Sequence, residues 1–341
     1  LVESISNRLN SDVPLGLLLS SGNDSSLVAA IMKKELNYNF ETVTYSFSNK
    51  KYDETNFVKK FCKNLNITNH LVNKDVNNSS NIYKEAINLF DIPNDSITGI
   101  NVFNICKEMK KYFKVGLTGM GGDEIFYGYY KHRFIYKYQK ILTNDFLKRM
   151  IRFFNFTNFK YIQKFNSYNY PNDLEIILSL KNNPYFNNKI IKNHFEFKEY
   201  KSLFRNTNDD LFTFFNFFDL NYDLKYSIIP GIERGSMRAS TELRTPYLNK
   251  KLHNYILQFN YKDIMSKGQK WIQKEILSKY IPEDLINHTK MGFINPPISK
   301  LKNSGETDID HKIKYAFQNI QKDNRWDRFI LRSKIIEEFT K

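Results

Sequence analysis

Cysteine is scarce in this 341-residue chain: Cys62 and Cys106 stand alone, and they form no CxxC pair. That excludes a disulfide framework and a cysteine-based zinc site, and it fits a reducing, cytoplasmic setting. The six histidines lie at 70, 132, 194, 253, 288 and 311 with no HxxxH pair, so no local metal motif exists. No run of eighteen apolar residues occurs, which argues against a membrane span. The opening residues Leu1, Val2, Glu3 and Ser4 lack the basic start and apolar stretch of a signal peptide. They also lack an initiator methionine, so the sequence reads as a piece of a longer chain. The Walker pattern GxxxxGK[ST] is missing, which excludes a kinase-type phosphate loop.

What is present is positive charge and hydrophobic residues in ordered patterns. The net charge of +15 suits polyanions. The lysines are dispersed in a background rich in Asn, Ile, Tyr and Phe, so charge alone does not define a nucleic-acid surface. Short apolar runs alternate with helical patterns over the first third, which predicts βαβ units and a parallel sheet. Strands are expected at Val13–Leu19, Glu41–Phe47, Ile67–Val72 and Val115–Thr118. Helices are expected at Ser26–Lys34, at Glu54–Leu65 capped by Asp53, and at Ile97–Lys111. Glycine then disappears between Gly128 and Gly231, and aromatics such as Phe212, Phe215 and Phe218 recur at helical spacing. That pattern predicts core helices packed on the sheet. Residues 1–130 form the expected nucleotide-binding α/β core, and 131–341 a mainly helical part of the same unit.

Four segments carry chemistry. The first, Leu18 to Ser26 (LLSSGNDSS), lies between a strand and a helix. Small residues there leave backbone N–H groups and a helix N-terminus available to phosphate, and Ser20, Ser21 and Ser25 add hydroxyls. Asp24 suits an anion site only if a divalent cation bridges it to phosphate; otherwise it is a helix cap. The second, Thr118 to Glu124 (TGMGGDE), follows a strand, and its glycines permit close backbone approach. In a parallel sheet both loops sit at carboxyl ends of strands, where such sheets bind ligands. Asp123 is either a second metal ligand or a cap. The third, Glu233 to Leu248, is dense in charge, and Glu242, four residues after Arg238, has the spacing of a helix ion pair. The fourth is Lys290-Met291-Gly292-Phe293.

In this order the segments resemble the synthetase part of the asparagine synthetase family. That family shows LLSGGxDSS, SGxGxDELFGGY, RxSMxxSxExRxPFLD and KxGF. The chain has LLSSGNDSS, TGMGGDEIFYGY, RGSMRASTELRTPYLN and KMGF, over roughly residues 3 to 300. The resemblance implies a Rossmann-like parallel sheet of the ATP-pyrophosphatase type with helices on both faces. It implies ATP and Mg2+ as cofactors, with Ser20, Ser21, Gly22, Asn23, Asp24 and Ser25 around the pyrophosphate and Asp24 and Asp123 as metal ligands. Leu19 and Phe47 would contact adenine, Thr118 and Gly119 the AMP portion, and Lys290 the leaving charge. Asp24, Asp123 and Lys290 are then the catalytic set.

The implied reaction adenylates the β-carboxylate of aspartate and lets ammonia attack, giving asparagine, AMP and pyrophosphate. The expected partners are a small carboxylate, aspartate favoured, and ammonia from a glutaminase domain that the sequence does not include. No nucleic-acid or membrane partner is expected, and a homodimer is admitted. Four departures stand out. Ser21 replaces Gly, Asn249 replaces Asp, Lys274 replaces Arg, and Met120 replaces a catalytic Glu within SGEGAD. Methionine cannot move a proton, so another group, Glu242 or Glu124 among them, must assist the attacking nitrogen, or the substrate differs. The alternatives are a relative that amidates or cyclises another carboxylate, a tRNA-modifying ATP pyrophosphatase, and a non-catalytic homologue.

Overall fold

The computed structural model describes residues 1–47, 53–74, 89, 97–153, 176–177, 180 and 210–286. Five strands make one parallel sheet in the order β3-β2-β1-β4-β5. They are β1 (Leu15–Leu18), β2 (Glu41–Phe47), β3 (Thr68–Lys74), β4 (Val115–Thr118) and β5 (Glu242–Arg244). Helix α1 (Val2–Ser6) precedes the sheet, α2 (Asn23–Lys34) links β1 to β2, and α3 (Thr55–Leu65) links β2 to β3. Helix α4 (Ile97–Met109) precedes β4, and the single turn α5 (Gly122–Ile125) follows it.

Side-chain alternation sends the two faces of the sheet into two cores. Leu15, Leu17, Val115 and Leu117 pack with α2 and α3 on one face. Leu18, Val43 and Tyr45 pack with Val102, Ile105, Cys106 and Met109 of α4 on the other. Gly16 faces that second layer, where an added Cβ would lie 2.6 Å from the Glu41 carbonyl and would also strike the Phe113 ring. The polar residues of β2 are buried but paired. Thr42 and Thr44 accept from Asn69 Nδ2 at 2.9 and 3.0 Å, and the Thr44 hydroxyl donates to Leu19 O at 2.9 Å.

The α/β class with helices on both faces is as expected, and so are four of the strands. The fifth was not foreseen. Glu242 does not pair along a helix with Arg238. Helix α9 (Ile229–Arg238) ends there, Ser240 turns the chain with a φ of 60°, and Glu242 N–H donates to Lys114 O at 2.9 Å. Once in a strand, Glu242 pairs with Arg244 at 2.6 Å. Sheet pairing overrode the helical charge spacing.

Apart from β5, the regular elements described after Tyr130 are helices. Helices α6 (Tyr130–Thr143), α7 (Asp145–Phe153) and α8 (Leu211–Phe218) lead into a π-helix over Asp219–Ile228, and α9 continues from it. Phe212, Phe215 and Phe218 are buried as expected. Within this layer the wholly buried His132 ring lies 3.0 Å from Asp219 and meets Phe215 edge-on. Helices α10 (Lys250–Ile256), α11 (Tyr261–Met265) and α12 (Trp271–Leu277) complete the described chain, with α12 packed on α2.

Candidate active site

The sheet order reverses between β1 and β4. From β1 the chain moves outward through β2 and β3, then returns to place β4 on the other side. Leu18 and Thr118 are paired at the carboxyl end of this junction, so the loops that follow them flank one crevice. Ligands of open parallel sheets bind at such a switch point.

Two glycines bring the loops into contact. A Cβ at Gly119 would lie 2.5 Å from Ser25 N, and one at Gly122 would lie 2.7 Å from Asp24 Cγ. Gly121 takes a φ of 91°, and its open side is filled by Leu248 and Tyr247. The backbones touch because these positions have no side chain.

The first loop is shorter than expected. Helix α2 starts at Asn23, so Asp24 and Ser25 lie in its first turn. The capping alternative fails for both aspartates. Gly22 and Gly121 occupy the N-cap positions of α2 and α5, neither with a side-chain cap bond. Ser20 and Ser25 knit the turn through a 2.9 Å hydroxyl contact, Ser20 N–H donates to Ser25 Oγ at 3.1 Å, and Gly22 N–H donates to Ser20 Oγ at 3.2 Å. Ser21 N–H donates to the buried Glu54 carboxylate at 2.9 Å, so one loop amide already serves an anion. The Ser21 hydroxyl is buried with no hydrogen-bond partner among the described residues.

Asp24 and Asp123 come from the two loops to one cation. The Lys270 ammonium contacts Asp24 Oδ2 and Asp123 Oδ1, with side-chain exposures of 10%, 4% and 14% for Lys270, Asp24 and Asp123. Gln273 Nε2 approaches Asp24 Oδ1 at 3.5 Å. Lys270 is the N-cap of α12 and has a φ of 57°, a left-handed conformation that costs a non-glycine residue about 1–3 kcal/mol. Gln269 fixes this turn by donating to Gly128 O at 3.2 Å and Tyr129 O at 2.8 Å. Gly128 lies against Asp123 and the Lys270 stem, leaving no room for a side chain.

The supporting groups are also placed by tertiary structure. Tyr247 is fully buried, its hydroxyl donates to Asp24 O at 3.1 Å, and its ring meets Phe126 edge-on. Burial and the two neighbouring carboxylates, Asp24 and Asp123, push its hydroxyl well above the usual range, so it stays a donor. Glu124 is buried and accepts from Tyr129 Oη at 2.5 Å. Burial first, then Glu124, raises the Tyr129 hydroxyl in the same direction.

Of the residues expected at the site, Ser20 through Ser25, Thr118, Gly119 and Asp123 converge at the switch point. Leu19 enters it through a backbone bond to Val43 O at 3.0 Å, and Phe47 closes β2 opposite Lys74. Lys290 lies outside the described residues. Glu242 is exposed on β5 and bound to Arg244. Met120 is half-buried and packs against the second core. Lys270, Tyr247, Gln273 and Glu54 were missed. One lysine among 51 basic residues carries no local signal, and Tyr247 was read only as part of a motif.

The donor set suits a divalent cation that bridges to phosphate. Two carboxylates from touching loops meet at one cation, and hard cations take oxygen ligands. Among the described residues no group of three or more His, Cys, Asp or Glu gathers around one point. The described residues would supply two ligands, with phosphate oxygens and water among the rest of the shell.

The family model for asparagine synthase matches residues 1–338. A glutamine-hydrolyzing asparagine synthetase 1 of Bacillus subtilis is 25% identical over 325 residues, covering 88% of this chain and 49% of that protein. A putative asparagine synthetase 2 of Methanocaldococcus jannaschii is 28% identical over 154 residues, 45% of this chain and 28% of its own length. An amidase, chyE of Penicillium rubens, is 27% identical over 144 residues, 38% of this chain and 21% of that protein. Among solved structures, a U34-tRNA thiolase of Methanococcus maripaludis aligns with 99% of this chain and 77% of its own, at 10% identity and a TM-score of 0.34. The chain thus spans about half the length, or less, of the curated relatives it matches. No helix among the described residues is long and apolar enough to cross a membrane. Matched from its first residue almost to its last, the chain belongs to the asparagine synthase family.

Proposed function

We propose that this chain carries the ATP-dependent, amide-forming half of an asparagine synthetase. The observation that carries the reading is the meeting of Asp24 and Asp123 at the sheet's switch point. In it, Asp24 and Asp123 would hold Mg2+, and the Ser20–Ser25 turn would surround the pyrophosphate with hydroxyls and amides. When bound, the metal neutralises charge on the phosphate oxygens. Thr118 and Gly119 line the AMP portion, and Lys270 and Lys290 supply fixed positive charge as pyrophosphate leaves. A carboxylate oxygen of the acceptor attacks the α-phosphorus and expels pyrophosphate. Nitrogen then attacks the acyl carbon and AMP departs. Aspartate and ammonia are the favoured acceptor and nitrogen source, with the ammonia released by a glutaminase partner.

A second acceptor class has its own support. Met120 packs on an apolar cluster where a carboxylate was expected, which favours a bulkier, less polar acid in that part of the crevice.

The test follows nucleotide products with ATP, Mg2+ and candidate acids. AMP and pyrophosphate should appear in equal amounts, and Asp24→Asn or Asp123→Asn should cut turnover by roughly two orders of magnitude or more, the scale on which charge stabilisation at phosphates operates. ADP and orthophosphate as products would overturn the reading.

A further inference from the structure

We propose that Lys270 competes with the divalent cation for Asp24 and Asp123, so that the metal is held only when it enters with a polyphosphate. The proposal rests on the metal-binding reading above and deepens it. Its ground is that one ammonium contacts one oxygen of each carboxylate, at the two side chains assigned to the metal. All three groups are largely buried, so neither carboxylate can exchange this partner for bulk water.

Charge count makes the contest specific. The ammonium offsets part of the charge of the two carboxylates, which weakens their attraction for a hydrated dication. To take both oxygens the ion must displace an ammonium whose side chain is only 10% exposed, and a buried cation left unpaired is costly. A triphosphate removes that obstacle, because it brings its own anionic oxygens for the displaced lysine. The backbone is suited to such an exchange. Gln269 clamps the turn to Gly128 O and Tyr129 O, while the charge sits at the end of a four-carbon stem that moves without the main chain. Gly128 leaves the stem its path beside Asp123. The consequence is an order of events: free Mg2+ is refused, and the nucleotide-bound ion is accepted.

The experiment measures binding of Mn2+ by electron paramagnetic resonance and of Mg2+ by thermal unfolding, on the full chain without nucleotide. Wild type should bind Mn2+ weakly, and Mg2+ should leave its Tm unchanged. Lys270→Met should melt lower in a chelator, regain Tm with Mg2+, and bind Mn2+ at least roughly tenfold more tightly, since the ammonium that contacts both carboxylates is gone. Lys270→Arg, which keeps the charge, should behave as wild type. The double variant Asp24→Asn, Lys270→Met should melt above Lys270→Met in chelator, because one of two facing charges is gone. Tight Mn2+ binding by wild type without nucleotide overturns the proposal even if no variant folds. Equal Mn2+ affinity in wild type and Lys270→Met overturns it as well. Either failure leaves the metal reading intact as long as Asp24→Asn abolishes Mg2+-dependent AMP release. Normal release by Asp24→Asn would instead remove the metal reading itself.

Discussion

The Tyr247 hydroxyl donates to the main-chain carbonyl of Asp24 at 3.1 Å, across 223 positions of sequence. The same residue packs against Gly121 in the second loop, so one buried side chain braces both halves of the crevice. Its segment is in turn tied to the chain's first helix. Ser4 Oγ donates to Pro246 O at 2.6 Å, Arg8 Nη2 to Leu248 O at 3.2 Å, and Arg244 Nη1 to Arg8 O at 2.8 Å.

Tyr247→Phe therefore separates support from packing. Losing one buried hydrogen bond costs about 1 kcal/mol of stability, read from urea unfolding. Activity should fall further than stability, because Asp24 shifts, and the loss should appear mainly as a raised KM for MgATP. Tyr247→Ala should cost about 3–5 kcal/mol, the range for emptying a large aromatic site. An unchanged KM in Tyr247→Phe would reduce Tyr247 to a core residue.

Gly119 tests the contact between the loops. Alanine there places a methyl 2.5 Å from Ser25 N, in backbone that cannot rotate away. Overpacking of this kind costs roughly 1–3 kcal/mol. Its larger effect should be on turnover, since the only relief separates Asp24 from Asp123. Full activity in Gly119→Ala would mean that the touching loops are not required.

These relationships mark how far the sequence could be read. Strands β1 and β4 were legible because buried parallel strands are apolar runs ending in small residues, as in Leu15–Leu18 and Val115–Thr118, and β2 because Glu41–Phe47 alternates. The two loops were legible because small residues follow an apolar strand in each: Ser20, Ser21 and Gly22 in the first, and Gly119, Gly121 and Gly122 in the second. Strand β5 was not, since Leu243 is its single apolar residue and its place is set by pairing with β4. The convergence of Asp24 and Asp123 followed from topology, but the lysine between them did not. Lys270 arrives through the packing of α12 on α2, and no local spacing announces that contact. The helix start was misplaced by three residues because Asn, Asp and Ser favour turns, whereas here they form the first turn of α2.

The two cysteines predict a pH response. Burial pushes the thiols of Cys62 and Cys106 from 9.0 up to about 11, weakly opposed by contacts with Thr42 and Thr241 respectively. Between these values the unfolded chain has lost thiol protons that the native protein keeps. Unfolding then releases protons, so this contribution is fully present below pH 9.0 and is lost as pH rises through about 11. The urea midpoint should fall across that window. At pH 8 a thiol reagent should label the native protein only as fast as it opens, and denaturant should expose both sites at once. Immediate labelling in native buffer would contradict the burial of both thiols.

Met120 decides between the two acceptor classes. It follows Thr118 and Gly119 in the second loop, and it packs against the apolar cluster on the second face of the sheet. If the acceptor is aspartate and the nitrogen arrives as neutral ammonia, the need for a base at this position is relaxed. Met120→Glu should then be tolerated, and with free ammonia it should raise turnover. If Met120 contacts a bulkier and less polar acid, a carboxylate among these apolar side chains costs several kcal/mol unless paired. Activity on that substrate should then collapse while aspartate stays inert. The measurement is acid-dependent AMP release by wild type and Met120→Glu across amino acids and small carboxylates, with the amide product identified. Aspartate-dependent release that yields asparagine supports the first class. Release that ignores aspartate, responds to an apolar acid and is lost in Met120→Glu assigns the second.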